Sequence, residues 1–292
     1  MAITKVTNPV TDFDKSTNLP GLKIPSGNNT NEPAIVDSIQ GMIRNDTEET
    51  TGGSDSAITH FNGTAWKYFA ATESPIYPTS LKMFLDAGDA ASYNGSGTTW
   101  SDLTSNTNNG TLTNMTSSNW NNAGYFNFIN SNSNYIQLPN ILTFGSSSYT
   151  ISIWVNLDNT THQEYLSSYN SSGNGFLLDH TGSGNVRFYN TGGTLINIGT
   201  GTGVATTNTW QLWTVTMDRS SATNVVKLYL GSAQKATTSG TSLGSTNGDN
   251  PQIGGYPGAN SLYLDGQVSK ARIYDTALIQ SEIQVLVNEG PL

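Results

Sequence analysis

The chain has 292 residues, a formal charge of −9 and only 12 Lys and Arg, with no basic cluster, which excludes nucleic acid and anionic membrane as partners. No apolar run reaches the roughly 18 residues of a spanning helix, and the absence of cysteine removes disulfides, thiolate chemistry and Cys-ligated zinc. Charged residues make up 11% of the chain, against about 25% in an ordinary soluble domain. Ser, Thr, Asn and Gly take their place, and these build turns and short strands better than long helices. Six Trp, thirteen Tyr and nine Phe supply the buried area that offsets chain entropy, so the composition predicts an ordered, mostly β protein.

Residues 1–34 are polar, with Pro9, Pro20, Pro25 and Pro33 interrupting any period. They read as an extended anchoring arm. The first residues, Met1 to Pro9, lack the basic stretch and apolar core of a secretory signal. Residues 35–75 read as a small β-module. An apolar stretch, Ile35 to Ile43, leads into a strand, and two further strands flank Asn62-Gly63, a dipeptide suited to a type I′ hairpin. A module this small has too little core to stand alone, so self-association is expected, most simply as a trimer. Glu73 to Pro78 carries two prolines and marks the boundary to a third region, residues 76–292.

From Leu81 onward short strands alternate with Gly/Asn/Ser turns, the pattern of an antiparallel β-sandwich. Tyr149 to Leu157 alternates cleanly, with Ile151, Ile153, Val155 and Leu157 on one face and Ser152, Trp154 and Asn156 on the other. Trp210 to Asp218 and Val225 to Leu230 predict a strand pair. Trp210 and Trp213, three apart, must then point to opposite faces. Thr276 to Leu292 carries the one expected helix, with Ser281 and Gln284 as a capping box and Ile283, Leu286 and Val287 along one face.

Four ordered stretches carry a resemblance. They are Leu85 to Leu112, Tyr149 to Val155, Trp210 to Leu230, and Ile253 to Ile283. Together they resemble the laminin-G-like, concanavalin A-like jelly-roll lectin domains over about residues 81–290. That resemblance implies an all-β antiparallel jelly-roll sandwich with a short C-terminal helix. Gly41, Ile43 to Thr47, Phe61 to Thr64 and Trp66 are similar to β-modules of tailed-phage fibres and appendages. The two resemblances together imply a virion surface protein, in a capsid-decoration or fibre role, that contacts other virion proteins through residues 1–75 and displays a lectin-like domain toward host glycans. A secreted or cell-surface bacterial carbohydrate-binding module is the alternative, and a glycoside hydrolase the remote one.

Catalytic chemistry is not expected. Glycosidases on this type of sandwich place paired carboxylates on one strand face, and here Glu164, Glu282 and Glu289 are scattered along the sequence. His60, His162 and His180 lie in no metalloprotease motif. In Asp179-His180 the neighbouring side chains point to opposite faces, which makes His180 a turn-edge residue and not half of a dyad. Asp86, Asp89 and Asp265 lie where first and last strands of a sandwich meet and form the candidate Ca²⁺ set, since roughly six to eight oxygens suffice for that ion. Trp154, Tyr165, Tyr169, Tyr189 and Tyr256 are the candidate sugar platforms, because a sugar's C–H face packs on an aromatic ring.

Overall fold

The computed structural model describes residues 79–141, 147–191, 195–244, 248–259 and 261–292, and four short strands before them. The chain divides into two compact units, residues 1–75 and 76–292. In the first, β1 (Ser26–Gly27) runs parallel to β2 (Ile43–Asp46), which pairs antiparallel with β3 (Ala57–Phe61), and β3 with β4 (Trp66–Tyr68). The segment read as an arm thus contributes a strand to this sheet. The Asn62-Gly63 turn lies outside the described residues.

The second unit opens with β5 (Leu81–Asp86), β6 (Thr99–Trp100), β7 (Gly110–Thr113), β8 (Trp120–Asn121), β9 (Tyr125–Phe128) and β10 (Tyr135–Gln137). Five strands follow: β11 (Tyr149–Leu157), β12 (Gln163–Ser167), β13 (Phe176–His180), β14 (Val186–Asn190) and β15 (Ile196–Gly199). The chain closes with β16 (Trp210–Asp218), β17 (Asn224–Leu230), β18 (Ala233–Gly240), β19 (Gln252–Ile253), β20 (Gly266–Tyr274) and helix α1 (Gln280–Asn288). Their order in space is β18-β17-β16-β11-β20-β9-β8 in one sheet, with β5 sharing the outer edge of β20, and β15-β14-β13-β12-β19-β10-β7-β6 in the other. Late strands insert between early ones, as β19 does between β12 and β10, and this gives the jelly-roll connectivity.

The period-2 pattern of β11 decides the layering. Ile151, Ile153, Val155 and Leu157 all lie in the core between the sheets. Val215, Leu228 and Ile273 join them in the register that the alternation predicts. Trp213 is fully buried in this core, while Trp210 packs on the opposite face of the same strand.

A second, smaller core lies on the outer face of the β11-containing sheet. Trp154, Leu212, Tyr229 and Tyr274 pack there against Leu278, Ile283 and Leu286 of the C-terminal segment. The Thr150 hydroxyl fixes the approach, donating to the Thr276 carbonyl at 2.7 Å and accepting from the Leu278 N–H at 2.9 Å. Arg272, stacked 3.8 Å above the Phe84 ring, pairs with Glu289 at the helix C-terminus. The helix begins earlier than Ser281. Ile279 is its N-cap, and Glu282 reaches back to accept the Ile279 N–H at 2.7 Å. Burial of Ile283 and Leu286 sets the helix phase, and the carboxylate three residues on satisfies the free N–H in place of a hydroxyl cap.

Candidate functional site

With α1 on the outer face of one sheet, the outer face of the other holds the polar and aromatic groups. Core-facing Leu166, Leu178, Phe188 and Ile253 alternate with outward neighbours. The pairing aligns those neighbours into a row running Gln137, Gln252, Ser167, Leu177, Tyr189 and Asn197 across β10, β19, β12, β13, β14 and β15. A second row, Glu164, Asp179 and Arg187, crosses β12, β13 and β14.

Three of the five predicted platforms meet beside these rows. Tyr169 stands edge-on to Tyr189 with ring centroids 5.6 Å apart, and Tyr256 lies 5.9 Å from Tyr169. The Arg187 guanidinium sits 5.4 Å over the Tyr189 ring. All three tyrosines are half-buried, so each keeps some ring surface open. Burial raises the Tyr169 and Tyr256 hydroxyls above their ordinary value, and each remains a neutral donor and acceptor near neutral pH.

Trp154 and Tyr165 do not belong to this group. Trp154 faces the other way, 7% exposed beneath the terminal helix, and Tyr165 is fully enclosed in the inter-sheet core. Strand alternation placed Trp154 away from the main core, but an amphipathic helix covers that face. In β12 a bulge between Glu164 and Leu166 breaks the alternation and lets Tyr165 join Leu166 inside.

Three loops converge next to the tyrosines. The Asp249 N–H donates to the Ser168 carbonyl at 2.8 Å, and the Gly258 N–H to the Tyr169 carbonyl at 2.9 Å. Asn170 closes its own turn by accepting the Ser172 and Asn174 N–H groups. A Cβ at Gly248 would lie 1.6 Å from the Ser168 carbonyl oxygen, so this approach requires glycine. Between β10 and the 248–257 stretch opens a polar pocket of about 470 Å³, lined by Gln137, Gly248, Asp249, Asn250, Gln252 and Pro257. Gln137 Nε2 donates to the Asn250 and Pro251 carbonyls and Gln252 Nε2 to Gln137 Oε1, which leaves the Asp249 carboxylate and the Asn250 amide to meet hydroxyl groups. Sequence reasoning missed the pocket because its lining joins Gln137 of β10 to the distant stretch 248–257; the Gly/Asn density of residues 248–258 was the available signal.

The Glu164–Asp179–Arg187 row was also missed. The two carboxyls come from different strands and meet only through hairpin register. Arg187 grips Asp179 with both arms, Nε to Oδ1 at 3.1 Å and Nη2 to Oδ2 at 2.5 Å. His162 Nε2 lies 3.2 Å from Oδ2 of the same carboxylate. Glu164 is fully buried, and neither of its carboxyl oxygens has a hydrogen-bond partner. Burial first, and the Asp179 charge second, push its carboxyl well above the usual range, with Arg187 opposing.

His180 closes β13 on the inner side. Its Nδ1 meets the Thr161 carbonyl at 2.9 Å and its Nε2 accepts the Gly184 N–H at 2.9 Å, which fixes the tautomer. Burial lowers its pKa, so the ring is a neutral structural link across the following turn.

The proposed calcium set does not assemble. Asp86 accepts the Gly88 N–H and faces the Lys270 ammonium at 3.8 Å, and Asp89 accepts the Ala91 N–H. Asp265 instead accepts from the Asn159 amide at 2.6 Å. It precedes Lys270 by five residues on an extended strand, which is about 16 Å at 3.3 Å per residue. The first and last strands do pair, but the register sets Asp86 opposite Lys270. Among the described residues, the group whose ligand atoms converge is His162, Glu164 and Asp179, all within 4.8 Å of one another.

Known structures share this architecture. Domain 4 of AbnA, a GH43 extracellular arabinanase from Geobacillus stearothermophilus in complex with arabinotriose, is similar at 20% identity and a TM-score of 0.51, covering 71% of this chain and 98% of that one. The receptor-binding domain of botulinum neurotoxin C/D mosaic serotype is similar at 13% identity and a TM-score of 0.52, over 73% of this chain and 52% of its own. Trypanosoma rangeli sialidase in complex with sialic acid matches at 14% identity and a TM-score of 0.51, over 79% of this chain and 42% of that one. No curated protein matches the sequence. The family model described as the concanavalin A-like lectin/glucanases superfamily matches residues 130–284, from the turn before β10 into α1. The chain belongs to that superfamily.

Proposed function

We propose that the second unit is a non-enzymatic lectin-like domain that binds neutral glycan on the outer face of the β15–β6 sheet. The observation that carries this reading is the meeting of Tyr169, Tyr189 and Tyr256 beside a polar pocket on one face. Half-buried rings offer stacking surface for sugar C–H faces, and the Asp249 and Asn250 side chains offer donors and acceptors for hydroxyls. Neutral sugars fit better than acidic ones. The chain carries −9, and Arg187, the cation nearest the rings, is committed to Asp179. Two structures of this fold hold saccharides, arabinotriose in one and sialic acid in the other, which supports a sugar as ligand class.

Hydrolysis fits the site poorly. A retaining glycosidase needs two carboxyls about 5 Å apart that flank an accessible bond. Glu164 and Asp179 are both fully buried, and Asp179 is bound by Arg187.

In this reading residues 1–75 attach the protein to a phage particle and to further copies of itself, on the strength of the fibre-type motif between Gly41 and Trp66. The glycan-binding face is then displayed at the virion surface in several copies. Single sites are weak, since a sugar exchanges water hydrogen bonds for protein ones, and copy number raises the avidity. Light scattering of the full-length protein is expected to give a trimer mass; a monomer at micromolar concentration contradicts the anchoring role.

A glycan array probed with the full-length protein, with and without Ca²⁺, tests the ligand. Binding to neutral host-surface polysaccharide is expected in both conditions. Tyr169→Ala should weaken it about tenfold, or roughly 1.4 kcal/mol. Absence of binding to host-derived polysaccharide contradicts the reading and leaves a purely covering, decorative role.

A further inference from the structure

We propose that His162, Glu164 and Asp179 form a binding site for one divalent transition-metal ion of the zinc type. The site lies beside the tyrosines on the outer face of the sheet, and the inference does not depend on glycan binding. His162 Nε2 and Asp179 Oδ2 are 3.2 Å apart, and the Glu164 carboxyl lies within 4.8 Å of both. Two ligands at about 2.0 Å from a tetrahedral ion stand roughly 3.3 Å apart, so the His–Asp spacing already suits a shared ion.

Glu164 supplies the independent observation. A fully buried carboxyl with both oxygens unpartnered is costly in a folded protein, and sequences tolerate it where a missing partner completes the arrangement. An ion between the three side chains satisfies those oxygens. Arg187 then has a supporting role, keeping its Nε bond to Asp179 Oδ1 while its Nη2, which here donates to Oδ2, shares that oxygen with the ion. One imidazole with two carboxylates favours a borderline ion over Ca²⁺, which prefers roughly six to eight oxygens. The His162 side chain is 39% exposed, which provides the entry path and an open position for water.

Equilibrium dialysis of the full-length protein against Zn²⁺ and, separately, Ca²⁺, followed by metal analysis and thermal unfolding, tests the site. One Zn²⁺ per chain with a raised Tm is expected, and no matching Ca²⁺ uptake. Glu164→Gln and His162→Gln should each weaken Zn²⁺ binding about tenfold or more and remove the Tm increase. His162→Gln changes a partly exposed side chain, so it separates loss of the site from loss of the fold. Failure to retain Zn²⁺, or retention unchanged in Glu164→Gln, overturns the proposal.

Discussion

Replacing Arg187 by methionine is expected to destabilise the second unit by about 3–5 kcal/mol, the range for removing one partner of a buried ion pair. The bidentate grip on Asp179 would be lost while that carboxylate stayed fully enclosed beside Glu164, with only His162 to meet it. The apolar stem of methionine keeps most of the packing against Tyr189, so the loss reports the charge and not the volume. The double variant Arg187→Met with Asp179→Leu should recover most of the stability, because removing both charges also removes their desolvation cost. Urea unfolding of the two variants, compared through midpoint and slope, checks this. A loss below about 1 kcal/mol for the single variant means that water reaches the pair.

Ile153→Ala is expected to cost about 2–5 kcal/mol, as deletions of buried aliphatic atoms do. Ile153 is 1% exposed, in the centre of β11, with Trp213 and Ala271 opposite it on the two flanking strands. Every neighbour is a strand of the same sheet or a core side chain of the other, so the cavity cannot close cheaply. A cost under about 0.5 kcal/mol contradicts the register of β11, since a one-residue slip moves Ile153 to the outer face.

The two layers were legible because period-2 alternation is a backbone property and survives any loop. Ile151, Ile153, Val155 and Leu157 announce an inward face whatever lies beyond. The outward face was not legible in the same way. Trp154 and Tyr169 look alike as exposed-face aromatics in sequence, and only the docking of α1 hides the first. A bulge at Glu164/Leu166 costs one residue of register and turns Tyr165 inward, which no local pattern signals. The carboxyl row was illegible for a related reason. Glu164 and Asp179 are fifteen positions apart and become neighbours through the register of one hairpin. A search for carboxylates along a single strand passes them by. Asp86 and Asp265 show the opposite error: the closing strand does pair with the opening one, but a few residues of register bring Lys270 to the place expected for a carboxylate.

The central claim is that the face bearing Tyr169, Tyr189 and Tyr256 receives sugar. Titration of the isotopically labelled full-length protein with a neutral host-derived oligosaccharide, followed residue by residue by NMR, tests it most directly. Shifts confined to Tyr169, Tyr189, Tyr256 and the loops at 168–175 and 248–258, absent in Tyr169→Ala, are the predicted result. Shifts centred on the helix α1 face, or saturable binding that Tyr169→Ala leaves intact, would contradict it.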